Sequence, residues 1–85
     1  MRTRLADWQN GWFGVELALS PEEIEALIGR LRMLQQEPDQ HFHLTSTYQE
    51  SGGLGDLMVY VQDPSEQSNM EPIGSKALAP GEILP

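Results

Sequence analysis

Five Lys and Arg against thirteen Asp and Glu give this 85-residue chain a formal net charge of −8, with 39% hydrophobic residues and no cysteine. That balance argues against nucleic-acid backbones and anionic membranes as partners, since both reward basic surfaces, and the lack of cysteine excludes disulfides and thiolate metal sites. No apolar run approaches the roughly 18–20 residues of a membrane span, and no apolar stretch of a secretory signal follows Arg2 and Arg4, so one small cytoplasmic domain with a thin core is expected.

The first strong element runs from Trp12 to Leu19, where Phe13, Val15, Leu17 and Leu19 alternate with Trp12, Gly14, Glu16 and Ala18 at the period of a half-buried strand. Gly14 inside it marks a bulge or a close backbone approach. Ser20-Pro21-Glu22-Glu23 then reads as a helix start, with Ser20 as cap, Pro21 in the first position and Glu23 placed for a capping box. The helix is expected over Pro21 to Gln36, with Ile24, Leu27, Ile28, Leu31 and Leu34 as one apolar stripe and Arg30 and Arg32 toward the negative end of the macrodipole. Gly29 weakens it, and Pro38 closes the region.

A second strand is expected over His41 to Tyr48, with Phe42, Leu44 and Tyr48 on one face. Ser51-Gly52-Gly53-Leu54-Gly55 supplies a hairpin loop, and Asp56 to Gln62 alternates again with Leu57, Val59 and Val61 inward. The expected fold class is α+β, with a β-α-β-β core in residues 12–62 of a domain spanning 1–62, its helix packed on one small, mostly antiparallel sheet through Val15, Leu17, Phe42, Leu44, Leu57, Val59 and Val61. Residues 63–85 form a Pro- and Gly-rich extension, expected to lie on the domain or on a neighbouring subunit through Ile73, Leu78 and Ile83 and to add short strands. Three strands and one helix leave a marginal core and an apolar second face, which points to a homodimer.

Candidate chemistry is sparse. His41-x-His43 places two imidazoles on one side of a strand, where a metal ion is chelated if Glu16 or Asp56 converges on them; the plainer reading is two histidines on the solvent face. Gly52-Gly53-Leu54-Gly55 lacks the Lys and the following helix of a phosphate-binding loop. Ser46, a histidine and Asp56 can be drawn as a nucleophile triad, but no strand-to-helix elbow accompanies the serine. Neither enzyme activity nor a cofactor is expected.

Trp12, Met58 and Tyr60, with Trp8 upstream, fall on the sheet face away from the helix and have the composition of a protein interface. Between Arg32 and Lys76 there is no basic residue, and Glu50, Asp56, Asp63 and Glu66 are expected to attract a basic protein partner.

The succession Phe13-Gly14-Val15-Glu16-Leu17, Ser20-Pro21-Glu22-Glu23-Ile24, His41-Phe42-His43-Leu44 and Gly55-Asp56-Leu57-Met58-Val59 resembles small bacterial proteins of unknown function, immunity proteins of polymorphic toxin systems among them. The resemblance spans residues 12–62 and implies an acidic single-domain protein that neutralises a toxin by binding it, with no residue carried over as a catalytic position. A fainter likeness is to Sm-like small barrels, which the late tail would have to complete; the acidic balance and the helix after the first strand depart from that pattern, and strong RNA binding is not expected.

Overall fold

Ser20 starts the helix. Its hydroxyl accepts the Glu23 backbone N–H at 3.2 Å while the Glu23 carboxylate accepts the Ser20 N–H at 2.9 Å, a reciprocal capping box with Pro21 as the first helical residue. In the computed structural model, which describes residues 1–72, α1 accordingly runs Pro21–Gln36, the span the sequence predicts. The Met1 ammonium reaches Glu23 at 2.6 Å. That contact, and then the Ser20 hydrogen bonds, hold the Glu23 carboxyl below its ordinary range. The helix ends where the Glu37 N–H returns to the Met33 carbonyl at 2.8 Å. Arg30 and Arg32 stop short of the last turn, which carries no basic residue, so the expected complement to the macrodipole is missing there.

Four strands flank the helix: β1 Arg2–Asp7, β2 Phe13–Ala18, β3 His41–Thr45 and β4 Asp56–Tyr60. β1 is an addition to the predicted order. Leu5 is its one large apolar residue, so no alternation announces it, and it forms because β2 supplies partners: Leu5 stands opposite Val15 and Arg4 opposite Glu16, whose carboxylate lies 3.6 Å from the guanidinium. The joining loop is bonded through Asp7, which accepts the Gln9 N–H at 2.8 Å, and Asn10, which accepts the Trp12 N–H at 3.0 Å. Gln9 and Gly11 take positive φ values of 60° and 91° to turn the chain. Gly14 does mark a close approach: a side chain there would meet the Trp8 indole nitrogen at 2.7 Å.

β3 stops at Thr45, short of the predicted limit at Tyr48, because Tyr48 adopts a left-handed φ of 54° and leaves the strand. The Gly55 carbonyl accepts the Ser46 N–H at 2.9 Å and the Tyr48 hydroxyl at 3.1 Å, which draws the 46–55 loop together. β4 ends at Tyr60 rather than Gln62. Both strand pairs are antiparallel, β1 with β2 and β3 with β4, so the α+β class stands but with two two-stranded sheets in place of one.

Among the described residues, Leu34 and Phe42 are the buried apolar side chains, 6% and 5% exposed. Leu27, Leu44, Leu57 and Val59 are half-buried. The rest of the expected core is uncovered: Ile24, Ile28 and Leu31 on α1, Val15 and Leu17 on β2, and Val61 beyond β4 are all exposed. The periodicity correctly groups these residues on common faces, but a face is buried only by an opposing layer, and a two-stranded hairpin is too narrow to cover a helix stripe as wide as this one. Ile73, Leu78 and Ile83 of the extension, and any strands it adds, lie outside the described residues. Among those residues no helix is long and apolar enough to cross a membrane.

Two substitutions check this arrangement. Leu34→Ala should cost about 2–5 kcal/mol in a urea melt, as for a core leucine. Gly29→Ala should gain about 1 kcal/mol, since a side chain there meets nothing within 4 Å.

Candidate functional site

Strand alternation sorts the β3–β4 hairpin into two faces. Phe42, Leu44, Leu57 and Val59 occupy the covered side, and the register places His41 opposite Tyr60, His43 opposite Met58 and Thr45 opposite Asp56 on the open side. The Asp56 carboxylate sits diagonal to His43, whose Nδ1 lies 2.9 and 3.1 Å from its two oxygens, and accepts the Thr45 hydroxyl at 3.2 Å. The His41 and His43 rings meet edge to face with centroids 5.1 Å apart.

Beyond β4, Asp63 and Glu66, expected only as surface carboxylates, belong to a bonded acidic turn. The Tyr60 hydroxyl donates to one Glu66 carboxylate oxygen at 2.9 Å, and the other accepts the Asp63 N–H at 2.9 Å. Asp63 in turn accepts the Ser65 N–H at 2.9 Å and the Ser65 hydroxyl at 2.7 Å. The signal for it was present: Asp63-Pro64-Ser65-Glu66 repeats the polar-Pro-x-Glu spacing of Ser20-Pro21-Glu22-Glu23, and in both a glutamate returns to the backbone N–H three residues earlier. The Asp63 backbone N–H, then the Tyr60 hydroxyl, lower the Glu66 carboxyl. The Ser65 backbone N–H, then its hydroxyl, lower Asp63. Glu66 raises Tyr60 through the hydrogen bond first and its charge second.

The predicted site residues are only partly brought together. Met58 and Tyr60 share the open face of β4, 47% and 51% exposed. Trp12 is separate from them, an exposed residue in the β1–β2 loop belonging to the other hairpin. Of the two carboxylates proposed to join the histidines, Asp56 does so as a hydrogen-bond partner of His43, whereas Glu16 lies in the β1–β2 sheet beside Arg4. A carboxylate on Nδ1 is how a metal-bound imidazole is commonly oriented, but among the described residues no three His, Asp or Glu side chains gather into a set that could hold an ion. Glu50 leaves the acidic set, because Arg2 reaches it from β1 at 2.6 Å, and this contact raises the guanidinium pKa. The Ser46 hydroxyl accepts the Tyr48 N–H at 2.9 Å as part of the loop.

An open groove of about 920 Å³ runs between β1 and the 46–55 loop. Its charged walls are engaged in ion pairs, Arg2 with Glu50 and Glu23 with the Met1 ammonium.

The acidic turn has a pH signature. Glu66 and Asp63 are depressed below their ordinary 4.5 and 3.8, so their contribution is present above those values and lost as pH falls through the lowered ones. Tyr60 is raised above 10.0, so its contribution is present below that value and lost as pH rises through the higher one. An ultraviolet titration should therefore show one of the two tyrosines ionising late, and Glu66→Gln should return it to the ordinary range.

Set against protein-family models, curated proteins and solved structures, the chain matches none of them.

Proposed function

We propose that the chain is a non-enzymatic, cytoplasmic protein-interaction module that docks a basic protein on the open face of β3 and β4, as an immunity-type inhibitor would. The observation that supports this reading is the pair Met58 and Tyr60, each about half exposed, framed by the carboxylates of Asp56, Asp63 and Glu66. From residue 33 to residue 75 the sequence has no Lys or Arg to neutralise that frame.

The chemistry suits such a partner. Carboxylates around an apolar patch speed the encounter with a basic surface, and Met and Tyr give the dry contact that holds the complex once water leaves. An incoming Arg or Lys that pairs with Glu66 also reaches the face of the Tyr60 ring. The bonded turn at 63–66 holds its carboxylates in place beforehand, so little ordering entropy is lost on binding.

Capture from native lysate with the tagged chain tests the reading. A basic protein should be recovered, Tyr60→Ala should weaken its binding by more than about 1 kcal/mol, and Asp63→Lys/Glu66→Lys should slow association and flatten its salt dependence. Failure to recover a basic partner, or recovery indifferent to all three substitutions, counts against it.

A further inference from the structure

The uncovered surface is larger than a folded chain of this size leaves to water. The accessible surface is 7638 Å². A compact protein of about 8 kDa, the share of residues 1–72 in the 9.5 kDa chain, exposes about 4,500 Å². Even with residues 73–85 allotted the full area of an extended chain, about 2,000 Å², the described residues stand about 1,100 Å² above the compact value.

Part of that excess lies in the run of exposed residues 61–72 that follows the second hairpin, and two apolar faces hold another part. On α1, Ile24, Ile28 and Leu31 recur at helical spacing and are 47%, 39% and 45% exposed. In the first hairpin, Leu5 and Val15 stand opposite each other with Leu17 two residues along on the same side, and all three are exposed; Leu5 and Leu17 form one wall of the open groove that Leu44, Leu57 and the 46–55 loop also line.

We propose that a second copy of the chain covers both faces, α1 of each copy lying on the β1–β2 hairpin of the other. The area fits, since a stable protein interface removes about 800 Å² from each partner. The shapes fit as well: an isolated two-stranded sheet needs a helix or another sheet against its apolar face, and α1 is the one helix among the described residues. A twofold operation that seats one helix stripe on the other copy's hairpin satisfies both faces in both copies at once, the self-complementary condition for a closed dimer. Charge fits third. The carboxylates of the acidic turn belong to the other hairpin, so pairing through β1, β2 and α1 leaves the open face of β3 and β4 free. Two copies each carrying −8 repel, so added salt should tighten self-association, opposite to its effect on a basic partner. The two proposals therefore fail independently.

Light scattering behind a sizing column should give the parent chain twice its 9.5 kDa at micromolar concentration, with the dimer fraction rising in salt. Ile28→Glu, exposed in the single chain, should give a monomer that keeps its helical circular dichroism. Because the chain has no cysteine, single thiols report the arrangement even if that variant unfolds. A mixture of Val15→Cys and Leu31→Cys chains should be joined between copies by a short bis-maleimide, whereas Gly29→Cys, on the far side of α1, should not be joined to Val15→Cys. A parent mass of 9.5 kDa overturns the proposal, whatever covers the faces instead, and so does a dimer in which Val15→Cys and Leu31→Cys do not crosslink.

Discussion

Leu34 and Phe42, on either side of the turn that leads from α1 to β3, are the two apolar side chains that the described residues take out of water. Fully buried, each contributes about 1.5–3 kcal/mol, while every residue fixed in the backbone costs about 1–2 kcal/mol of conformational entropy. Set against that imbalance, the dense local bonding acquires its meaning. The capping box at Ser20, the Asp7 and Asn10 turns before β2, the Asp63–Glu66 turn after β4, and the convergence of two donors on the Gly55 carbonyl all hold the chain by contacts between near neighbours. Short-range bonds define the elements; among the described residues, full burial joins them at Leu34 and Phe42, and the ion pairs of Met1 with Glu23 and Arg2 with Glu50 tie the N-terminal strand to the helix and to the 46–55 loop.

Legibility in the sequence follows the same division. The helix is readable to the residue because its determinants, Ser20, Pro21, Glu23 and the terminating Pro38, lie within or beside it. The shared side of His41 and His43 is readable from strand period alone, and the neighbourhood of His43 and Asp56 follows once a hairpin is assumed. β1 is not readable from apolar alternation, because Arg2, Thr3 and Arg4 are recruited by β2 rather than by their own pattern; the Asn10-Gly11 dipeptide just before β2 was the available sign of a hairpin. Trp12 and Glu16 stand in the other sheet from Met58, Tyr60 and His43 for a related reason: pairing between distant strands is not encoded in any window of sequence, and the strands form two sheets instead of the single one expected. The expected core failed at Ile24, Ile28, Leu31, Val15 and Leu17 because a period gives a residue's direction and not what stands opposite it.

The molecule divides its surface by chemistry. Two faces, one on α1 and one on the first hairpin, present aliphatic side chains, and Arg4 and Glu16 engage each other on the hairpin's opposite face. A third, built from the second hairpin and the turn after it, presents a tyrosine and a methionine among carboxylates held in fixed positions. Aliphatic surface favours long-lived association, whereas charged surface favours fast encounter and sensitivity to ionic strength. A protein that carries both on separate faces can keep one contact permanently and exchange the other.

Every strand pair in the described chain joins neighbours in sequence, the first across the Trp8–Trp12 loop and the second across residues 46–55. Hairpins form in about 1–10 μs and helices in about 0.1–1 μs, so secondary structure is complete almost as soon as each segment leaves the ribosome. Assembly of the core has no such head start. In the interval the aliphatic stripe of α1 is open to chaperones and proteases, which act on exposed apolar chain. If a second copy covers that stripe, as proposed, the cellular lifetime of a newly made chain depends less on how fast it folds than on how soon it meets its partner.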